Sequence, residues 1–291
     1  MRRLSLDPPA HPMMTLVNYD QVKVDLRNAG SWFMLDFYKI AFKKEFNGSV
    51  KYGPGFYDFK DGSMAFLAPG QIVQMTADPG DYQGYALYFH PKLLDRHSLA
   101  QGIHNYGFFD YAVAEALFLS EKEKQIMETL FKAVAIELNN PIDQFSEDVL
   151  VSQLELLLNH SNRFYNRQFL TRKNLHHDLI SRMNSWLNDC FEGAGTVING
   201  LPSPQDIATH LNVSQRYLSD MLRTLTGKTT QQHIHLALIE KAKLLLNQTT
   251  LTTAEIAYHL GFEHPQSFNK LFKQRTSISP IQFRRDQLTL N

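Results

Sequence analysis

Histidines are the first residues to test for chemistry, because closely spaced imidazoles on adjacent strands, with a carboxylate, can hold a metal ion in octahedral-type coordination. His90, His97 and His104 lie seven residues apart, and that spacing makes no HxH pair. The one HxH, His233 with His235, falls in a helical pattern, where residues two apart do not face each other. A metal site is therefore not expected. A single cysteine, Cys190, permits no internal disulfide and no thiolate cluster. No Ser/His/Asp spacing and no glycine-rich phosphate loop supports a catalytic site, and no catalytic residue or cofactor is assigned.

A different set of side chains is better placed. Arg216, Ser219 and Asp220 recur at helical spacing after a turn signal, and so do Gln266, Asn269 and Lys270 about fifty positions later. Arg, Lys, Asn and Gln can reach base edges in a DNA major groove. The chemistry these positions suggest is recognition, not catalysis.

The elements that must carry them form an internal repeat. Asp206-Ile207-Ala208 matches Glu255-Ile256-Ala257, and His210-Leu211-Asn212-Val213 matches His259-Leu260-Gly261-Phe262, at an offset of 49. Leu218, Met221, Leu222 and Thr226 then match Phe268, Leu271, Phe272 and Thr276 at an offset of 50. Such a repeat with matched apolar positions marks one structural unit used twice. Each copy reads as a helix-turn-helix. Asn212 and Gly261, the residue types that most readily turn left-handed, occupy the corner, and Ser214 suits the N-cap of the next helix. Leu218, Met221 and Leu222, or Phe268, Leu271 and Phe272, should point inward. Between the copies, HIHLALIEKAKLLL sets Ile234, Leu238, Ala242 and Leu245 on one face of a linking helix. A single copy resembles any αα-corner; two copies on a rigid link are more specific.

The first part of the chain has another texture. Residues 33–42, 56–59, 64–67, 72–75 and 85–89 are short apolar and aromatic runs separated by Asn-Gly, Gly-Pro-Gly, Asp-Gly and Pro-Gly turn signals, the pattern of a small antiparallel barrel or sandwich. From Ser120 the period becomes helical: Ser120 and Glu123 form a capping-box signature, Asn140-Pro141 ends that helix, and Ser146 opens another with Val149, Leu150, Leu154, Leu157 and Leu158 as its stripe. A third helix is expected over 175–191, with Leu179, Ile180, Met183, Trp186 and Leu187 apolar. Phe33, Phe37, Tyr57 and Phe59 either line a pocket or fill the small barrel.

The 291-residue chain balances 29 Lys and Arg against 29 Asp and Glu, which by itself does not favour nucleic acid. The average hides an asymmetry. From Thr171 onward 13 basic residues face 9 acidic ones, a net +4, and the preceding 170 residues hold 16 and 20, a net −4. A basic part joined to an acidic one suits DNA binding. No apolar run is long enough to cross a bilayer. The start, MRRLSLDPPAHPMM, has prolines and polar residues where a signal peptide needs an apolar core, so a cytoplasmic location is expected.

The chain resembles the AraC/XylS family of bacterial transcriptional regulators. The second motif matches at Ile256-Ala257, Gly261-Phe262, Ser267-Phe268, Phe272-Lys273, Ser279-Pro280 and Phe283-Arg284; the first matches at Ile207-Ala208, Leu211, Val213-Ser214, Tyr217-Leu218 and Gly227. The resemblance spans about residues 175–285, and FLAPGQ at 66–71 with the strand pattern is similar to the family's cupin-like sensor domains. It implies an α+β protein: residues 1–170 as a cupin-like antiparallel β-barrel plus helices for effector binding and dimerisation, and 171–291 as an all-α DNA-binding domain. Within the latter, the first helix-turn-helix covers about 205–226, the linking helix 230–247 and the second helix-turn-helix 254–275.

The resemblance places base reading on Arg216, Ser219 and Asp220 and on Pro265, Gln266, Asn269 and Lys270. Phosphate contacts are expected from Lys228, Lys273, Arg284 and Arg285. Asp220 either accepts from cytosine N4 or pairs with Arg216 one turn earlier. Leu238 stands where the family often has arginine, and Ser277 where it usually has glycine. The implied partners are double-stranded DNA, RNA polymerase if the protein is an activator, a small-molecule effector and a second copy of the chain. A metal-dependent cupin enzyme with a helical interaction module is the competing reading.

Overall fold

The computed structural model describes residues 9, 11–21, 32–46, 49–52, 55–58, 62–74, 82–112, 115–192 and 200–290. Contacts divide the chain into two compact units, Met1–Thr171 and Arg172–Asn291.

In the first unit, β1 (Met14–Asn18), β2 (Trp32–Met34), β3 (Tyr38–Phe46), β4 (Ser49–Tyr52), β5 (Gly55–Asp58), β6 (Ser63–Leu67), β7 (Ile72–Gln74), β8 (Tyr82–Phe89) and β9 (Leu117–Phe118) are followed by helices. Five strands form one antiparallel sheet in the order β1-β8-β3-β6-β9, while β2 pairs with β7 and β4 with β5. Alternation decides the core face of the sheet. Ile40 and Phe42 on β3, Met64 and Phe66 on β6, and Leu87 and Phe89 on β8 are buried in matching register. Near one end β3 slips register between Lys43 and Glu45 opposite Gly84. Gly84 has φ +126°, and a Cβ there would lie 2.1 Å from the Phe42 carbonyl oxygen, so the bulge needs glycine.

Several strand expectations change. The apolar run 33–42 is not one strand: it bends at Asp36 and Phe37, and Leu35 uses its carbonyl to accept from Gly70 N–H at 2.8 Å. β2 and β3 consequently join different sheets, which no apolar run can announce. β1 was not expected at all, yet it pairs with β8 along its whole length, from Met14 opposite Phe89 to Asn18 opposite Tyr85. Phe37 is 38% exposed. Phe59 and the side chains of Phe33 and Tyr57 lie outside the described residues.

Beyond the short α1 (Leu99–Gly102), two long helices cover the core face: α2 (Glu121–Asn139) and α3 (Ser146–Thr171). The capping box at Ser120 and Glu123 forms as expected. Phe131 of α2 stacks on Phe42 and Tyr85, and Tyr165 of α3 meets Phe66 and Phe108. Leu150, Leu154, Leu157 and Leu158 are buried, but Val149 points outward, because the α3 stripe continues instead through Ser161, Phe164, Tyr165, Gln168 and Phe169.

The second unit is all helix: α4 (Lys173–Glu192), α5 (Pro204–Leu211), α6 (Gln215–Thr226), α7 (Thr230–Gln248), α8 (Thr253–His259), α9 (Pro265–Thr276) and α10 (Pro280–Leu290). α4 packs on α5 and α7 through Met183, Leu187 and Phe191, while Ile180 and Trp186 are half-buried. Ile234, Leu238, Ile239, Ala242 and Leu246 form the buried stripe of α7, with Leu245 only half-buried beside it. Leu238 is fully buried, so the apolar residue at that position suits this core.

Each reader unit ends on a left-handed residue. Gly227 closes α6 with φ +71°, and Ser277 closes α9 with φ +69°. Both donate their N–H to the carbonyl four residues back, Arg223 and Lys273. Serine pays a steric cost in this region that glycine does not. Ser277→Gly should therefore stabilise the protein by about 1 kcal/mol, read as an increase in the urea midpoint with an unchanged slope.

Candidate nucleic-acid interface

The two helix-turn-helix units are built from the same local devices. α5 begins with a reciprocal capping box: the Ser203 N–H donates to the Asp206 carboxylate at 2.8 Å, and the Asp206 N–H donates to Ser203 Oγ at 3.3 Å. α8 begins identically, with Thr252 and Glu255 at 2.7 and 3.2 Å. The Ser203 and Thr252 hydroxyls also donate to these carboxylates, at 2.7 and 2.8 Å, and with the N–H groups of Ser203 and Thr252 they hold the Asp206 and Glu255 carboxyls below their ordinary range. The pattern S/T-x-x-D/E was readable in the sequence at both places and was missed.

At the corner Asn212 takes φ +57° and Gly261 φ +89°, as their residue types suggested. The next amide then reaches back five residues, Val213 N–H to Ala208 O and Phe262 N–H to Ala257 O, both at 3.0 Å. This closure satisfies carbonyls at the end of the first helix and reverses the chain. The following helix starts at Ser214, whose Oγ accepts from Tyr217 N–H at 3.2 Å. In the second copy His264 occupies the cap without a side-chain bond, and Pro265 takes the first helical position, where its missing N–H costs nothing.

Burial fixes which face of each reader points out. On α6, Tyr217, Leu218, Met221 and Leu222 are buried and Arg216, Ser219 and Asp220 lie on the opposite side. On α9, Phe268 and Phe272 are buried and Gln266, Asn269, Lys270 and Lys273 are exposed. Leu271 is only half-buried, so the inward face of α9 is narrower than the apolar pattern implied. Arg223 is a further exposed residue on the outer face of α6. The offset of 50 pairs it with Lys273, and applying that offset to the known lysine would have found it. Lys270 and Lys273 have no ion-pair partner among the described residues, whereas Arg216 Nε donates to Asp220 Oδ2 at 3.0 Å. Of the two readings of Asp220, the pairing with Arg216 is the geometry present.

The remaining basic residues divide. Lys228 and Arg285 are exposed. Arg284 is turned inward: its Nε donates to the Leu246 carbonyl at 3.0 Å, and its Nη2 is buried without a partner among the described residues. It ties α10 to the end of α7.

The two histidines of the HxH pair serve separate bonds. His233 Nε2 lies 2.8 Å from Thr226 Oγ1, and His235 Nδ1 lies 3.2 Å from Arg275 Nη2. A guanidinium can only donate, so His235 accepts there and must be neutral. Burial, then the nearby Lys228 or Arg275 charge, pushes both imidazoles below the ordinary histidine value. Elsewhere His90 Nδ1 accepts from Lys92 N–H at 3.1 Å, and Gln71 of FLAPGQ bridges Ala68 N–H and the Phe109 carbonyl. Among the described residues no group of three His, Cys, Asp or Glu is placed to hold a metal, and no helix is long and apolar enough to cross a membrane.

Two family models match this architecture. One, described as a helix-turn-helix domain, covers residues 207–286, and the other, an AraC-like ligand binding domain, covers 36–154. Both parts of the chain thus resemble AraC/XylS-type regulators. The chain is similar to the transcriptional activator RhaS of Escherichia coli O157:H7, with 30% identity over 142 residues, 48% of this chain and 45% of that one. It is also similar to the transcriptional regulator YisR of Bacillus subtilis, with 36% identity over 81 residues, 28% of each chain. The chain thus spans less than half the length of these curated relatives. Among solved structures, the C-terminal domain of AraT, a response regulator from Geobacillus stearothermophilus, is 29% identical, with a TM-score of 0.33 over 37% of this chain and 84% of that one.

Two outcomes follow from this geometry. A histidine kept neutral by the fold binds protons more readily when unfolded, so stability is complete above about pH 6.5 and falls as pH drops below it. Urea unfolding of the full chain should show a lower midpoint at pH 5.5 than at 7.5, and His235→Gln should flatten that difference. Arg284→Ala should lower stability by roughly 1–2 kcal/mol through the lost carbonyl bond, whereas Lys270→Ala, at an exposed position, should leave the midpoint nearly unchanged.

Proposed function

We propose that this protein is a sequence-specific DNA-binding regulator of transcription, whose two reader helices, α6 and α9, enter major grooves. The observation carrying this reading is the repeated construction just described, in which two turns of the same geometry each leave a polar helix face exposed. Arg216 and Ser219 on one reader, and Gln266, Asn269 and Lys270 on the other, are assigned to base reading, with Asp220 paired to Arg216 on the same face and Pro265 starting its helix. Lys228, Lys273 and Arg285 are assigned to phosphate, where they position the protein without reading sequence. Arg284 is reassigned from phosphate contact to holding α10. Residues 171–291 are the DNA-binding domain, and residues 1–170 bind a small effector and dimerise.

The resemblance to activators such as RhaS supports a role in activation, and RNA polymerase is then a partner. The protein acts in the cytoplasm and is not an enzyme.

Selection of the full chain on a random DNA library at moderate salt tests this reading. Two short enriched blocks about one helical turn apart (~34 Å) are expected. Lys270→Ala or Asn269→Ala should change the preferred bases in one block, by about 5- to 100-fold in the affected ratio. Lys273→Ala should weaken binding to all sequences alike and reduce the salt slope by about 1. Sequence-blind enrichment with all three variants behaving alike would remove the assignment of the helix faces.

A further inference from the structure

We propose that Asp220 is a positioning residue that holds Arg216 for end-on recognition of guanine, so that the two act as one composite reader. The inference rests on the DNA-binding reading above and adds a specificity determinant to it.

The geometry points to this division of labour because of which nitrogen is bound. Asp220 Oδ2 takes the Nε–H of Arg216 at 3.0 Å. The carboxylate thereby occupies the inner edge of the guanidinium and leaves the two Nη groups, which have no partner among the described residues, at the end of the side chain. A guanidinium presents its donors in a fixed plane. Two parallel Nη–H groups match the O6 and N7 acceptors of guanine, the commonest specific contact in the major groove. A free arginine must lose rotamer freedom to make that contact. One already bound at Nε has lost part of it.

A purely stabilising role explains the pair poorly. Exposed ion pairs one helical turn apart add little to stability, and Arg216 is 42% exposed with Asp220 at 25%. An acid on this face also repels phosphate, so it weakens general DNA affinity. The second reader has no such pair: its matched positions hold Gln266 and Lys270. A carboxylate that lowers general affinity on one reader only makes physical sense where it sharpens a choice.

The test compares full-length variants on the selected operator and on its single-base changes, with random competitor DNA alongside. Arg216→Ala and Asp220→Ala should each flatten the preference at the same G·C position by roughly tenfold, and the double variant should lose no more than either alone. Asp220→Ala should bind random DNA more tightly than the parent, because a carboxylate that repels phosphate has gone. Asp220→Glu, whose longer side chain still reaches Nε, should recover most of the preference. The proposal is overturned if Asp220→Ala keeps the full preference, or flattens a different base pair from Arg216→Ala, as direct reading of cytosine by the carboxylate would predict. Lys270→Ala separates the levels of failure. If it changes base preference while neither Arg216 nor Asp220 variants do, the composite reader falls alone. If none of the three changes preference, the DNA-reading assignment falls and the composite reader with it.

Discussion

The constraint on which the second unit depends is the left-handed corner closed by an amide reaching back five residues. At Asn212 and again at Gly261 the chain must take positive φ, and only then can Val213 and Phe262 donate to Ala208 and Ala257. That closure sets where the next helix starts and therefore which of its faces is buried. Leu218 and Phe268 can be fully buried because the corner delivers their helices at the angle their apolar stripes need. A shift of one residue would rotate each reader by about 100° and bury Ser219 or Asn269 in place of a core residue. Outward polarity on α6 and α9 is thus a consequence of the turn, not an independent feature.

The first unit is organised by a different constraint, the need to end a sheet beside a helix. β9 is only two residues long, and α3 completes its hydrogen bonding with side chains. Gln168 accepts from Phe118 N–H at 2.8 Å and donates to the Ala116 carbonyl, while Arg167 Nη2 donates to the Phe118 carbonyl at 2.6 Å. Arg167 also pairs through two nitrogens with Glu123, the residue that caps α2. One short stretch of α3 therefore supplies an edge strand, a helix start and a buried charge with their partners. A half-satisfied version of this network would be worse than an apolar one, which explains why Gln168 and Glu123 can be buried.

Much of the second unit was legible because its signals are local. The αL residues, the capping serine and the spacing of apolar positions depend on neighbours within one or two turns, and the repeat allowed each copy to check the other. Where the copies differ, reading was harder: Leu271 follows the pattern but is only half-buried, while Phe268 and Phe272 beside it are fully buried. Arg284 was indistinguishable in sequence from Arg285, since direction on α10 depends on the Leu246 carbonyl 38 positions away. The sheet was less legible for the same reason. The composition of MTLVN allows a strand, but only β8 makes it one, and the break at Asp36 follows from partners in two separate sheets.

The two readers share a scaffold and differ in electrostatics, and the difference bears on how such a protein would divide its work on DNA. α9 offers Lys270 and Lys273 without a facing acid, so its field extends into solvent and draws phosphate from a distance comparable to the Debye length, about 8–10 Å. α6 offers Arg216 and Arg223 with Asp220 between them, and much of that charge is cancelled locally. On the DNA-binding reading, α9 supplies more of the salt-dependent, sequence-blind affinity and α6 contributes more by rejecting wrong bases. The linking helix makes this division workable. Its buried stripe from Ile234 to Leu246 runs between the two copies, so binding of one reader reduces the freedom of the other, and a weakly attractive but selective helix can act at a high effective concentration.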